Sequence, residues 1–347
     1  MIVNLKFIFF KIYGKQKLLF CETRKIIKEK ELEIPGINDV IKAAELIKPY
    51  IKHTPVLTSH SLNDMFGCEL FFKCENFQKI GAFKFRGASN AVFSLKEKEL
   101  ENGVATHSSG NHAQALALAA KLRVTKAYIV MPENSSKVKV EAVKGYGAEI
   151  IFCEPTLQAR ESTLAEVVEK TGAVFIHPYN NFRVISGQGT AALELLQEVP
   201  YPDYIITPVG GGGLLSGTLI TTSSISPGTK VIAAEPEGAD DAFRSIETGK
   251  IIPSLNPKTI ADGLLTSLSE LTFEIIRKHI YRIITVRDDS IIEAMKLIWE
   301  RMKIITEPSS ATTLAVLLEN KINLNGSRTG IILSGGNVDL QRLPWIK

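Results

Sequence analysis

The 347-residue sequence predicts an α/β fold: two domains, each with a mostly parallel sheet flanked by helices, and an active site in the cleft between them. Three observations carry this expectation. From about residue 100, short apolar runs alternate with longer helical patterns, as in strand–helix units on a parallel sheet. The runs are apolar at consecutive positions, as strands buried on both faces should be. Several end in Ser/Gly-rich turns, and open α/β sheets bind ligands at the carboxyl ends of their strands.

In chain order, "GVATHS" leads into "NHAQALALAAKL", "KAYIVM" into "SKVKVEAVKGYG", and "AEIIFC" into "TLAEVVEKTG", before "AVFIH" closes the series at His177. A second series contains "DYIITPVG", "KVIAAEP" and "TGIILSGG". A small domain is therefore expected at residues 96–180, inserted into a large domain made of 31–95 and 181–347, behind a disordered leader at 1–30.

The composition, 45% hydrophobic, supplies ample core. Residues 1–30 hold eight Lys/Arg and two Asp/Glu, so the rest of the chain carries 33 basic against 35 acidic residues. A body so near neutral has no electrostatic footprint for nucleic acid. No apolar run approaches the roughly 18 to 20 residues of a membrane span. Cys21, Cys68, Cys74 and Cys153 show neither a CxxC pair nor zinc-ligand spacing and read as reduced thiols of a cytoplasmic protein. The opening apolar patch is bracketed by Lys6 and Lys11 without a cleavage site, so no secretory signal is expected.

Five segments carry candidate chemistry. In "QKIGAFKFRG", Lys84 stands between Phe83 and Phe85; burial disfavours an ammonium and suits an amine nucleophile. In "PVGGGGLLSG", four glycines between a strand and a helix can wrap a phosphate with their N–H groups, aided by the helix dipole. That loop has neither GxGxxG nor GK[ST] spacing, and a flexible turn is the alternative. "HSSGNHAQ" suits a substrate carboxylate, with a plain helix cap by Ser109 or Asn111 as the alternative. "LSGGNVDL" projects Ser334 from a strand end. "AEPEGADD" bends Glu235, Asp240 and Asp241 into a turn that suits a hard divalent cation, although these residues alone favour an ordinary solvated acidic loop. No GxSxG elbow is present, and His53 and His177 read as structural.

"GAFKFRGA", "SSGNH", "GGGG" and "SGGN", in this order, resemble the tryptophan synthase β-like, fold type II pyridoxal-phosphate enzymes, from about residue 32 to the end. The phrases "THSSGNHAQAL", "AEPEGADDAF", "TIADG", "WERMK" and "LSGGNVDL" are similar to the serine racemase branch of the serine/threonine dehydratase family. The resemblance implies that Lys84 forms the Schiff base, that Phe83 lies beside the cofactor ring and that Asn111 bonds its phenolic oxygen. Gly210, Gly211, Gly212, Gly213 and Leu214 would hold the phosphate, and Ser334 would meet the pyridine nitrogen. Ser108, Ser109, Asn111 and His112 would grip the substrate carboxylate. Glu235, the Ala239 carbonyl and Asp241 would bind magnesium or calcium. Gln114, Tyr146, Lys303 and Asn337 match positions that bind ATP, an activator, between subunits of a homodimer.

Two departures stand out. Ile80 and Ala82 replace hydroxyl residues ahead of the lysine, and Tyr179 replaces an asparagine that touches the cofactor in racemases, where dehydratases often place an aromatic. The implied activity is serine racemisation with Lys84 and Ser109 on opposite faces, together with β-elimination of the hydroxyl to give pyruvate and ammonia. The alternatives are a threonine/serine ammonia-lyase without useful racemisation and a non-catalytic pyridoxal-phosphate-binding protein. The short tail after "SGGNVDL" implies no appended effector domain.

Overall fold

The computed structural model describes residues 32–135 and 137–346; the expected leader at 1–30, with Cys21, lies outside the described residues. Ten strands form two sheets: β1 Val56–Leu57, β2 Glu69–Cys74, β3 Val104–His107, β4 Ala127–Pro132, β5 Glu149–Cys153, β6 Val174–Phe175, β7 Tyr204–Pro208, β8 Lys230–Pro236, β9 Arg282–Val286 and β10 Arg328–Leu333. The six-stranded sheet has the order β1-β2-β10-β7-β8-β9, and the four-stranded sheet the order β5-β4-β3-β6. Apart from the antiparallel β1–β2 edge, all pairs are parallel.

Each apolar run read from the sequence forms a strand, although "AVFIH" pairs only over Val174–Phe175. The Ile176 N–H still bonds Ala105, and Pro178, with no N–H of its own, cannot extend the ladder. Strands β1, β2 and β9 escaped the sequence pattern. In β2 the reason is chemical: Lys73 interrupts the apolar run, yet its ammonium is buried and matched at 2.7 Å by Glu194.

Alternation distributes the large sheet's side chains to two cores. Ile205, Val231, Ala233 and Ile332 face one with Ile185, Leu215 and Ile276, while Ile206, Ile232, Ile331 and Leu333 face the other with Phe72 and Leu314. The small sheet divides likewise, with Ile129 and Met131 against the alanine-rich helix Asn111–Leu122 and Tyr128 and Val130 against Leu164. Among the described residues no helix is long and apolar enough to cross a membrane.

One helix organises the rest. Phe182–Glu198 begins at Asn181, whose Oδ1 accepts the Val184 N–H at 3.0 Å. On one side Gly187 lets helix Lys84–Phe93 approach, since a Cβ there would lie 2.7 Å from the Arg86 carbonyl. On another, Gly189 meets Gly217 of helix Gly213–Ile225; a Cβ on Gly217 would overlap the Gly189 nitrogen and lie 2.7 Å from the Ile185 carbonyl. The helices that follow the lysine segment and the four-glycine loop therefore share one seat. Gly217→Ala should lower unfolding free energy by about 1 to 3 kcal/mol through overpacking. A urea midpoint that falls with unchanged slope would confirm this.

Candidate active site

Lys84 opens its helix, with Phe83 as the N-cap residue. Its Nζ donates to the Pro178 carbonyl at 3.1 Å and lies 5.2 Å from the Phe83 ring centroid. Phe85, expected on the other flank, instead packs into the core with Ala88 and Ala113. Successive helical residues diverge by about 100°, so rings at both adjoining positions cannot face the same amine. Burial pulls the Lys84 pKa down to about 8, against the opposing pull of Glu307. The side chain as a whole is half-buried.

The lysine segment is clamped by the turn after β10. The Phe83 N–H donates to the Ser334 carbonyl at 2.9 Å and the Gly336 N–H to the Gly81 carbonyl at 2.9 Å, on either side of an Ala82–Gly335 bridge. The Asn337 amide spans Ile80 O at 2.7 Å and Asn111 Oδ1 at 2.8 Å. Lys84, Asn111 and Ser334, distant in sequence, thus meet at the carboxyl ends of strands from both sheets.

The four-glycine loop leaves β7 and is buried throughout. Gly212 caps the next helix at φ +85°, a conformation that favours glycine. A Cβ on Gly211 would overlap the Tyr179 ring, so glycine is required there by contact rather than by torsion. Among the described residues, the N–H groups of Gly210, Gly211 and Gly212 find no acceptor. Buried donors without partners are costly, and a row of them at a helix N-terminus is satisfied by an anion such as a phosphate. Tyr179 walls the loop and meets His177 edge-on at 4.6 Å. His177 Nδ1 accepts the N–H groups of Tyr179 at 3.2 Å and Asn180 at 2.9 Å, which shapes the turn that presents the Pro178 carbonyl to Lys84.

At the end of β3, Gly110 is the N-cap of helix Asn111–Leu122 and no side chain caps it, so neither Ser109 nor Asn111 serves as the cap. Ser108 Oγ accepts the Gly110 N–H at 3.3 Å, and Ser109 is half-buried. The His112 ring is buried with Nε2 3.3 Å from Ile176 O, and burial, then Lys84, holds its pKa well below the usual histidine range. With that ring turned inward, the free N–H groups of the first helical turn remain to meet a carboxylate.

The family of pyridoxal-phosphate dependent enzymes matches residues 47–335. The chain belongs to that family. It is 54% identical to a serine racemase of Dictyostelium discoideum over 89% of this chain and 97% of that one. It is 52% identical to a β-hydroxyaspartate dehydratase of Paracoccus denitrificans, over 90% and 99%. The solved maize serine racemase superposes with a TM-score of 0.88 at 48% identity, covering 89% of this chain and 95% of that structure.

For this pyridoxal-phosphate enzyme, the unpaired glycine N–H groups and the desolvated Lys84 amine fit the cofactor's phosphate and aldehyde. Glu307 joins the site without having been singled out in the sequence. Both its oxygens accept from Asn111 Nδ2, at 3.0 and 3.2 Å, and Oε2 also takes the Asn337 N–H at 3.2 Å. Burial, with Asp262 adding to it, pushes its pKa up to about 7 against the Asn111 and Asn337 bonds. The legible signal was a carboxylate directly before Pro308, the first residue of helix Pro308–Leu318.

The other expected residues divide. Ser334 is buried beside the lysine segment. Leu214 is buried in the first turn after the glycines. Of the four nucleotide positions, Asn337 lies within the Lys84 constellation and Gln114 is buried on the helix that starts at Asn111. Tyr146 lines a separate groove of about 660 Å³ with Lys121 and Thr125, and Lys303 follows the π-helical turn Ile298–Met302 at φ 59°.

Glu235 accepts the N–H groups of Ala242 at 2.7 Å and Phe243 at 2.8 Å, while Asp241 Oδ2 is buried and unpaired. Burial first, then neighbouring carboxylates, raises Glu235 to about 9 and Asp241 to about 6. Two buried carboxylates beside the turn that ends at Ala239 fit a hard cation. Among the described residues, no group of three His, Cys, Asp or Glu side chains could hold one, so backbone oxygens would have to complete the set.

The Lys84 amine should react with added pyridoxal phosphate in a cofactor-free preparation at a rate that rises with pH through about 8, rather than through the ordinary lysine value of about 10.4. Absorbance kinetics across pH 6 to 10, roughly spanning both values, measure that midpoint.

Proposed function

We propose that the chain is a pyridoxal-phosphate-dependent serine racemase that also eliminates water from serine to give pyruvate and ammonia. The observation that carries the reading is the Lys84 amine, desolvated to a pKa of about 8, on a segment that the Phe83 N–H fixes to the strand end bearing Ser334. The cofactor, when bound, supplies an electron sink for charge at the substrate's α-carbon. Lys84, as a free amine, takes the α-proton on its own face. Ser109 is the acid–base group of the opposite face, which racemisation requires and elimination does not. Ser108, Ser109, Asn111 and His112 hold the carboxylate, the last three through their free N–H groups. Ser334 offers a neutral hydrogen bond, so the sink is moderate, and loss of the β-hydroxyl competes with reprotonation.

The same reading assigns Glu235, Asp241 and the Ala239 carbonyl to magnesium or calcium, and Gln114, Tyr146, Lys303 and Asn337 to ATP in a homodimer. The buried, unpaired Asp241 oxygen supports the metal assignment. A second reading, an ammonia-lyase for serine, threonine or 3-hydroxyaspartate without useful racemisation, is supported by Tyr179 against Gly211 and by the likeness to the Paracoccus dehydratase.

Assays of D-serine, pyruvate, 2-oxobutyrate and oxaloacetate from L-serine, L-threonine and L-threo-3-hydroxyaspartate separate the two readings; absence of D-serine rejects the first. Lys84→Ala should abolish all turnover. Ser109→Ala should reduce D-serine formation by about 100-fold or more, in the range of general acid–base contributions, while pyruvate formation persists. Chelation of divalent metal should lower the melting temperature, and an unchanged melt would remove the cation from the assignment.

A further inference from the structure

Two residues beyond Lys84, Arg86 is wholly buried, and all five of its N–H donors have partners. Nε and Nη2 pair with the two oxygens of Glu75 at 2.7 and 2.8 Å. Nη1 and Nη2 pair with those of Glu194 at 2.7 and 2.6 Å, and Nη1 also reaches Thr190 Oγ1 at 3.1 Å. Glu75 further accepts the Thr54 hydroxyl at 2.5 Å, and the buried Lys73 ammonium joins Glu194 at 2.7 Å to the Thr54 carbonyl at 2.5 Å. The cluster ties the end of β2, the lysine helix and helix Phe182–Glu198 together at one point.

Net stability is a poor reason for such a cluster, because buried ion pairs rarely outperform apolar packing of the same volume. Direction is a better one: a guanidinium forked on two carboxylates is fixed in position and plane, which a lysine or an apolar side chain is not. Helix Phe182–Glu198, which supplies Glu194 and Thr190, also seats the helix after the glycine loop through Gly189 and Gly217.

We infer that Arg86 is a positioning residue: held between Glu75 and Glu194, it sets the separation between the Lys84 amine and the Gly210–Gly213 anion cradle. The inference rests on the reading that one molecule, with an aldehyde at one end and a phosphate at the other, engages both. Displacing a placed group by about 1 Å costs on the order of 10²-fold where two ends must engage together. A ligand that engages only the lysine is indifferent to the spacing.

The test compares full-length protein binding to pyridoxal 5'-phosphate and to pyridoxal, each followed by absorbance, and reads the dissociation constant for pyridoxal divided by that for pyridoxal 5'-phosphate. In Arg86→Lys the ratio should fall by about tenfold or more, because phosphate affinity is lost while pyridoxal affinity changes little. Thr190→Val, which removes one acceptor of Arg86 together with the bond that hydroxyl donates to the Gly187 carbonyl at 2.6 Å, should lower the ratio by about threefold and decides the matter alone if Arg86→Lys does not fold. A lower melting temperature with an unchanged ratio in the folded variant would show the cluster to be structural only and overturn the inference. Lys84→Ala is the control: if it leaves the pyridoxal absorbance change intact, the reading of Lys84 fails instead.

Discussion

The hydrogen bond from the Phe83 N–H to the Ser334 carbonyl, 2.9 Å long, closes the lysine segment onto the end of β10, and the chemistry of Lys84 depends on that closure. An ammonium in reach of Glu307 would ordinarily be held charged. Here the net shift is downward to about 8, so loss of hydration outweighs the carboxylate's attraction. The Glu307 oxygens are engaged by Asn111 and the Asn337 N–H, which limits what that carboxyl can offer the lysine. The amine is set by exclusion of water more than by any partner.

Local sequence made much of this legible, and the limits of that legibility have physical causes. Strands buried on both faces announced themselves by consecutive apolar residues, whereas β2 hid behind Lys73, a charge that makes sense only once Glu194, 121 positions later, is beside it. The lysine, glycine and serine segments could be read because each is a strand end or helix start with chemistry in adjacent residues. Arg86 could not, and Glu307 showed only as a carboxylate before a helix-starting proline, because their roles arise from contacts across distant stretches of chain. Phe85 departs from its expected place beside the amine for a different reason: neighbours in sequence point apart around a helix.

Asn337 stands where two readings overlap. Its match to a nucleotide position came from the motif after β10, yet its amide joins Ile80 O to Asn111 Oδ1. A ligand that touched Asn337 would act on a side chain already bonded to the Lys84 segment and to the residue assigned to the cofactor's phenolic oxygen. No long relay would be needed between the two sites.

The buried acids divide by the company they keep. Burial pushes the Glu194 carboxyl toward its neutral form, but the Arg86 and Lys73 bonds prevail and the pKa ends below the ordinary value. Glu235, Asp241 and Glu307 are also enclosed, lack such a cationic partner in contact, and end above it. The paired group therefore remains a fixed anion suited to holding a helix in place. The others take up a proton more readily than a free carboxyl does, and perturbed groups of that kind are where function is sought first. On this basis Glu194 has the chemistry of a fixed frame around Arg86, while Glu307, Glu235 and Asp241 differ from it in how readily they take up a proton.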